Sequence, residues 1–266
     1  MSVSPNTAAK RVPMDSVRKT ALVAGILYLI TFAASIPAIF FLDPVLSNPN
    51  YIASAGADAR VTFGALLELV TALAGIGTAV ALFSVVKRQH EGLALGFVTS
   101  RMFEGAVIVV GVLSILTVVA LRQAGAAAGD AAALVPVGQA LVAVREQAFL
   151  IGPGMACVNA LLLGTLLYRS RLVPRAIPML GLIGAPIFLS SQIGVIFGIN
   201  EVPSVWLVAG LAPIFIWELS LGLWMTFKGF NRSSPLIAGT ETAGRAEDST
   251  PVLPSRTAAA PKAGLA

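Results

Sequence analysis

Charged residues, cysteine and histidine are all scarce in this chain of 266 residues. Only 12% of the residues are charged, against about 25% in an ordinary soluble domain, so there are too few polar side chains to coat a water-soluble core. The single cysteine, Cys157, excludes a disulfide framework within the chain. One cysteine and one histidine, His90, cannot form a zinc site of the usual ligand types. The sequence therefore predicts no cofactor and no metal.

Motifs for enzyme chemistry are absent as well. The sequence has no GxSxG elbow, no HExxH pair and no phosphate-binding loop. The formal charge of +5 raises the possibility of a nucleic-acid partner, but the basic residues lie at the ends of apolar segments, where membrane topology accounts for them. The sequence thus predicts neither an enzyme nor a nucleic-acid-binding protein.

Hydrophobic residues, by contrast, make up 56% of the chain and are concentrated in long runs. Crossing a bilayer takes about 20 apolar residues. Six runs reach that length, at residues 20–42, 61–86, 93–121, 147–169, 177–199 and 204–227. They predict an all-α, polytopic protein with six transmembrane helices in one bundle, embedded in a lipid bilayer. The first run is longer than the core of a signal peptide, which favours a retained helix over a cleaved one.

The basic residues are distributed unequally between the two sides of this bundle. One side carries those before span one, between spans two and three, between spans four and five, and after span six: Lys10, Arg11, Arg18, Lys19, Lys87, Arg88, Arg169, Arg171, Arg175, Lys228, Arg232, Arg245, Arg256 and Lys262. The other side carries Arg60, Arg122 and Arg145. The excess of positive charge on cytoplasmic loops predicts that both termini lie in the cytoplasm.

Three regions are predicted along the chain. Residues 1–19 and 231–266 are rich in Pro, Ser, Thr, Ala and Gly and are predicted to be disordered tails, because they have too little apolar surface to offset the entropy of ordering. Residues 20–230 form the transmembrane domain. Within the long loop before span four, the stretch from Pro136 is predicted to be helical and either runs directly into that span or lies on the membrane surface as an amphipathic helix.

Four ionisable residues lie well inside the predicted spans: Glu68, Arg101, Glu104 and Glu218. A charged side chain at the centre of a transmembrane helix costs about 2.5–3.5 kcal/mol on insertion scales. We therefore expect these residues to face one another inside the bundle. Arg101 and Glu104 are one helical turn apart, and Glu218 is predicted to lie at the same depth, so the guanidinium is expected to pair with both carboxylates.

Glu68 is predicted to lie about one turn further from the cytoplasm than the other three. Three carboxylates against one arginine leave an excess negative charge, and Glu68, the furthest from Arg101, is the best candidate for protonation. The amides and hydroxyls of Asn159, Gln192, Ser191 and Thr71 are predicted to form a secondary polar lining.

Two main functions are consistent with these residues. In the first, the protein is a small ion- or proton-coupled transporter, in which Arg101 binds a small anionic or protonatable substrate and Glu68, Glu104 or Glu218 exchanges a proton. In the second, it is a structural or partner-binding membrane protein whose buried charges only fix helix packing. Carboxylate acid–base chemistry in a membrane enzyme is a third, weaker possibility.

Three stretches resemble a known family. They are "RMFEG" at the start of span three, "IPMLGLIGAP" at the start of span five and "WELSLGLWMTFKGF" at the end of span six. Together they are similar to a bacterial group of integral membrane proteins labelled domain-of-unknown-function 4386, over roughly residues 15–230. The resemblance implies the six-span architecture and places Arg101, Glu104, Glu218 and Lys228 at motif positions, and it brings no established activity.

Overall fold

The computed structural model describes residues 16–129, 131–201 and 204–238. The α-helices in these ranges are α1 (Ser16–Ser47), α2 (Asp58–Val86), α3 (Glu91–Ala128), α4 (Val135–Gly154), α5 (Ala156–Ser170), α6 (Ala176–Ile196) and α7 (Val205–Phe227). Short 3-10 helices precede α2 and α4, at Tyr51–Ala53 and Ala131–Leu134. Because the described residues contain no strand, the predicted all-α class is confirmed. Residues 1–15 and 239–266 of the predicted tails lie outside the described ranges.

Six helical segments in the described ranges are long and apolar enough to cross a membrane, which confirms the predicted number. Five are the single helices α1, α2, α3, α6 and α7, and their bounds differ from the predicted spans by only a few residues. The sixth segment, Ala131–Ser170, contains both α4 and α5. The chain is therefore a multi-pass, all-helical protein of the kind that contacts a lipid bilayer.

The fourth span corrects the prediction, because it begins well before residue 147. Its 40 residues amount to about 60 Å of helix at 1.5 Å per residue, twice the thickness of a bilayer core of about 30 Å. Pro136 lies in the first turn of α4, where a missing N–H is harmless. Pro153, flanked by two glycines, interrupts the helical hydrogen bonds, and only Met155 separates α4 from α5. The helix from Pro136 therefore runs directly into span four.

The helices close into a ring. Each packs against its neighbours in the order α1, α2, α3, α5, α6, α7 and back to α1, while α4 packs mainly against α3. The ends of α1 and α7 that carry Arg18 and Lys228 lie together, since Arg18 Nη1 donates to the carbonyl oxygen of Met225 at 2.8 Å. We call this the basic end of the bundle. The residues inside the ring are thus drawn from five or six different helices.

Packing at the basic end continues past Lys228. The backbone N–H of Asn231 donates to the carbonyl oxygen of Leu172 at 2.8 Å, and Ser234 Oγ donates to the carbonyl oxygen of Ser170 at 2.7 Å. Ile237 is buried against the main apolar cluster. Residues 231–238, which the composition assigns to a disordered tail, therefore form an ordered turn, because Ile237 supplies apolar surface and the hydrogen bonds satisfy the carbonyls that end α5.

The end opposite the basic end is held by a smaller polar network. Asp58, at the start of α2, forms an ion pair with Arg122 of α3 and accepts a hydrogen bond from the Tyr51 hydroxyl at 2.9 Å. Burial, together with that hydrogen bond, raises the pKa of Tyr51 above its ordinary value. Arg122 also donates to the carbonyl oxygen of Ser54 at 2.9 Å. The network ties the connection between α1 and α2 to α3.

Glycines set the closest helix approaches. A Cβ atom at Gly210 of α7 would lie 2.5 Å from the backbone N and Cα of Phe188 on α6. Since the contact is with backbone, neither helix can relieve it by moving a side chain. Small residues at such crossings allow helices to pack without a hydrophobic driving force between them. Gly210 is therefore required for the α6–α7 contact.

Replacing this glycine should destabilise the bundle. We expect Gly210→Leu to lower the free energy of unfolding by about 1–3 kcal/mol, the usual cost of overpacking, and to lower the melting temperature of the protein in detergent. Ala212→Leu is the matched control, because Ala212 is exposed on the same helix. Equal melting temperatures for the two variants would contradict the close α6–α7 approach.

Candidate functional site

Arg101 is buried near the centre of the ring, with 5% of its surface exposed. Its Nη1 donates to Glu104 Oε2, one turn further along α3, at 2.9 Å. Its Nη2 donates to Glu218 Oε1 on α7 at 2.5 Å. The predicted pairing of this arginine with both carboxylates is confirmed, and the penalty for bare charge in lipid is its physical reason.

Two further side chains complete this group, which we call the Arg101 cluster (Tyr28, Arg101, Glu104, Asn159 and Glu218). The Tyr28 hydroxyl on α1 accepts a hydrogen bond from Arg101 Nη2 at 3.3 Å. Asn159 Nδ2 on α5 donates to Glu104 Oε2 at 2.7 Å. The cluster thus joins helices α1, α3, α5 and α7, and it includes Asn159 from the predicted secondary lining.

Sequence reasoning missed Tyr28, which is fully buried. The depth of Tyr28 could have indicated that it belongs to the site. Tyrosines in membrane helices favour the two membrane interfaces. Tyr28 instead lies twelve residues into α1, about 18 Å from the start of that helix. A hydroxyl at that depth needs a hydrogen-bond partner. In this protein the partner is Arg101.

The two carboxylates of the cluster have different surroundings. Glu104 Oε2 accepts hydrogen bonds from both Arg101 and Asn159. Among the described residues, Glu218 accepts a hydrogen bond from Arg101 alone, and 16% of its side chain is exposed against 11% for Glu104. Glu218 is therefore the less constrained carboxylate.

A second buried ion pair joins Arg145 of α4 to Glu68 of α2. Both residues are nearly inaccessible, and the guanidinium carbon of Arg145 lies 4.4 Å from the centre of the Phe149 ring. The sequence prediction placed Arg145 in an external loop, and that placement is wrong. Since α4 runs into the fourth span, Arg145 lies inside a membrane-length helical segment and needs a partner there.

The prediction that Glu68 is protonated rested on its distance from Arg101 and stays a prediction; the structure adds Arg145 as a cation in direct contact with Glu68. A signal for the buried arginine was present in the sequence: Gly138, Arg145, Ala148 and Gly152, the buried residues of α4, recur at helical spacing and form one face. The exposed neighbours Glu146 and Gln147 obscured it.

A cavity of about 370 Å³ reaches the Arg101 cluster, within the range of about 300–1,000 Å³ for small-molecule sites. Its wall includes Arg101, Glu104 and Glu218. Apolar side chains of α1 and α7 form much of the rest of the wall, among them Phe32, Ile36, Ile39, Leu211 and Phe215. The cluster is therefore accessible from within the bundle and is not sealed.

A smaller cavity of about 60 Å³ adjoins the first and reaches Glu68 and Arg145. The two cavities share several wall residues, which are Ser35, Thr71, Ile108, Phe149 and Pro153. A Cβ atom at Gly75 of α2 would lie 3.9 Å from Arg101 Nη1, and Glu68 is seven residues away on that helix, about 10 Å. The two charged groups thus line adjoining cavities, and Ser35 and Thr71 are the polar residues of the shared wall.

The other residues of the predicted polar lining do not all lie on a cavity wall. Thr71 lies on the wall of both cavities, although its hydroxyl donates to the Leu67 carbonyl oxygen at 3.0 Å. Ser191 Oγ accepts a hydrogen bond from Asn200 at 2.8 Å. Gln192 Nε2 donates to the Leu150 carbonyl oxygen at 2.9 Å, next to the break between α4 and α5. Ser191 and Gln192 thus stabilise the α6 region and are not part of the wall of either cavity.

The chemistry available at this site is that of carboxylates and guanidinium groups. Within the described ranges, no group of three His, Cys, Asp or Glu side chains could hold a metal ion. The carboxylates can exchange protons or pair with a cation, and Arg101 and Arg145 supply fixed positive charge.

Comparison with known proteins identifies a family for this chain. No curated protein and no solved structure matches the chain. A family model described as "Domain of unknown function (DUF4386)" matches residues 23–229. That match covers every helix from α2 to α7 and most of α1, including the Arg101 cluster and the Glu68–Arg145 pair. This protein therefore belongs to the DUF4386 family, as the three sequence stretches indicated.

Proposed function

We propose that this protein is a small proton-coupled membrane transporter whose solute binds in the cavity beside the Arg101 cluster. The observation that carries the proposal is the cavity of about 370 Å³ whose wall includes Arg101, Glu104 and Glu218. Buried charges that only fix helix packing need to be paired and sealed. A cavity at their surface adds nothing to packing, and it gives a solute access to ionisable groups.

The net charge of the Arg101 cluster couples the movement of a proton to the movement of the solute. The Arg101 cluster holds one guanidinium and two carboxylates, so it is neutral when one carboxylate carries a proton. Because lipid strongly disfavours excess charge, loss of that proton favours the arrival of another positive charge or a change of conformation. Proton movement and solute movement are linked in this way.

The residues have distinct roles in this proposal. Glu218 exchanges the proton, since it has the fewest hydrogen bonds and the greater exposure. Arg101 and Asn159 hold the Glu104 carboxylate in place, because both donate hydrogen bonds to its Oε2. We call the Arg101 cluster the first station for the proton, and the Glu68–Arg145 pair the second. The second station lies on the side of the end opposite the basic end, and Thr71 lies on the wall between the two stations.

The orientation belongs to the same proposal. The basic end faces the cytoplasm, with both termini inside, because cytoplasmic loops of membrane proteins carry the excess of Lys and Arg. Residues 20–230 act as one transmembrane domain in the bacterial cytoplasmic membrane. The cavities then lie between the centre of the bilayer and its outer face.

A transport assay with a Glu218 variant tests the proposal. Proteoliposomes are loaded with a mixture of carboxylic acids, amines, quaternary ammonium compounds and sugars, a pH gradient is imposed, and the retained solutes are measured by mass spectrometry. We expect at least one solute to move with the wild type beyond the level of protein-free liposomes. Glu218→Gln should fold but lose that movement, because the amide cannot exchange a proton.

Glu201→Gln is the matched control, since Glu201 is exposed in the loop between α6 and α7. It should transport as the wild type does. No movement of any solute by folded wild-type protein would contradict the proposal. A Glu218→Gln variant with lower folded yield but unchanged movement per folded molecule would show that Glu218 serves packing and does not exchange the coupled proton.

A further inference from the structure

We infer that the solute is a lipophilic organic cation that enters the cavity from the bilayer between α1 and α7; this rests on the proposed function and adds the substrate class. Three features of the cavity lead to this inference. They are its net charge, the pairing of Arg101 with two carboxylates, and an apolar side that is exposed.

The charge of the cavity favours a cation. Across both stations, Arg101 and Arg145 face Glu68, Glu104 and Glu218, which leaves one carboxylate without a cationic partner when all are ionised. A bound cation restores neutrality, as a proton does. A bound anion would add a further negative charge in a region where excess charge is costly.

The donors of Arg101 are also poorly placed for an anion. Nη1 donates to Glu104, and Nη2 donates to Glu218 and Tyr28. Nε has no partner among the described residues, but it is buried and therefore out of reach from the cavity. An anionic group would therefore compete with Glu104 and Glu218 for the guanidinium of Arg101.

The wall of the cavity is suited to a molecule with an apolar body. The Phe32 and Phe215 rings, from α1 and α7, meet edge to face with their centres 4.9 Å apart. Aromatic faces attract organic cations, with a strength that increases when water is excluded. The apolar wall and the excess of one carboxylate over the arginines together fit a cation whose charge is surrounded by hydrocarbon.

The side opening lies between α1 and α7. Near the basic end these helices approach closely, since a Cβ atom at Gly25 would lie 2.5 Å from Thr226 Oγ1. Each of these helices also packs on its other neighbour, α1 on α2 and α7 on α6, the latter through Gly210. The cavity-wall residues Ile36, Ile39, Leu211 and Phe215, on these two helices, are between 41% and 54% exposed. They face lipid and cavity alike, so a molecule dissolved in the bilayer can reach Glu218 without crossing water.

The exchange balances in protons and charge. Before binding, Glu218 carries a proton and the cluster is neutral. The cation then pairs with the Glu218 carboxylate, and the proton leaves to water by way of the Glu68–Arg145 station. One cation enters for each proton released, and the cluster stays neutral.

Binding of tetraphenylphosphonium to purified wild-type protein in detergent tests this inference without any transport step. Calorimetry measures the affinity, and a pH electrode in weak buffer measures proton release. We expect about one proton per bound cation. Glu218→Gln should bind about tenfold or more weakly and release no proton, because one partner of a desolvated charge pair is gone. Tetraphenylborate, of the same shape and opposite charge, should not bind.

A pair of tryptophan variants tests the side opening. Leu211→Trp fills the gap and should slow the entry of tetraphenylphosphonium into protein in lipid nanodiscs, whereas Val208→Trp should not, because Val208 is exposed on the same helix and is not part of the cavity wall. Equal rates for the two variants would overturn entry between α1 and α7.

The results separate this inference from the proposed function. Equal binding of the phosphonium and the borate, or unchanged phosphonium binding by Glu218→Gln, would overturn the cation class. If no phosphonium binds but another solute moves in a Glu218-dependent way, the cation class is wrong and proton-coupled transport stands. If the phosphonium binds and releases a proton but no solute moves in the liposome assay, the cation class stands and transport is wrong.

Discussion

Arg101→Met should yield little folded protein at neutral pH. The substitution leaves Glu104 and Glu218 buried without their shared cation, while methionine fills a similar volume. Breaking a buried ion pair by removing one partner costs about 3–5 kcal/mol, a large part of a typical stability of about 5–15 kcal/mol. The measurements are the yield of monodisperse protein in detergent and the melting temperature.

The pH dependence of the variant gives a second readout. Without Arg101, the folded state must bind protons at Glu104 and Glu218 to bury them as neutral groups, so it binds more protons than the unfolded state does. Stability then rises as the pH is lowered. We expect the yield of Arg101→Met to recover partly at acidic pH, and by a larger factor than that of the wild type, in which Arg101 compensates the charge of one of the two carboxylates.

A variant with no charge in the cluster is the matched control. Arg101→Met combined with Glu104→Gln and Glu218→Gln removes cation and carboxylates together, and neutral replacements of buried ion pairs are often tolerated. Its folded yield should exceed that of Arg101→Met at neutral pH. If Arg101→Met alone folds as well as the wild type, then the carboxylates are not held by Arg101, and both the pairing and the charge argument fail.

Arg145→Met should have a comparable effect through a different pair. It leaves Glu68 as an isolated buried carboxylate, at a cost of about 3–5 kcal/mol, and it removes the contact of the guanidinium with Phe149. The melting temperature in detergent should fall markedly. Adding Glu68→Gln removes the unpaired charge and should restore much of the loss.

Arg60→Met provides the comparison for this second pair. Arg60 is an exposed arginine at the end opposite the basic end, where it donates to the Phe40 carbonyl oxygen. Surface contacts of this kind contribute about 1 kcal/mol or less. If Arg145→Met costs no more than Arg60→Met, then Arg145 is solvated and α4 does not bring it into the bundle.

Some features of the site could be predicted because they depend on local rules. Arg101 and Glu104 lie on one helix, one turn apart, so their contact follows from helix geometry alone. Glu218 is 117 residues from Arg101, yet lipid makes an unpaired charge so costly that a partner at the same depth could be expected.

Other features could not be predicted, because several outcomes satisfy the same local rules. Arg145 is as compatible with a loop as with a helix when its neighbours are Glu146 and Gln147. The contact of Arg145 with Glu68, 77 residues away, exists because α4 continues through the bundle and packs against α3 next to α2. Tyr28 joins the Arg101 cluster only because α1 closes the ring against α7.

The sequence by itself determined the number of spans, the all-helical class and the need of Arg101 for carboxylate partners, because a bilayer requires continuous apolar helices and penalises bare charge. The tertiary structure alone decided which helices are neighbours, and with them the Glu68–Arg145 pair and the two adjoining cavities. The physical reason is that neighbours are set by close contacts at small residues such as Gly25 and Gly210, and many arrangements of six apolar helices satisfy the same hydrophobic pattern.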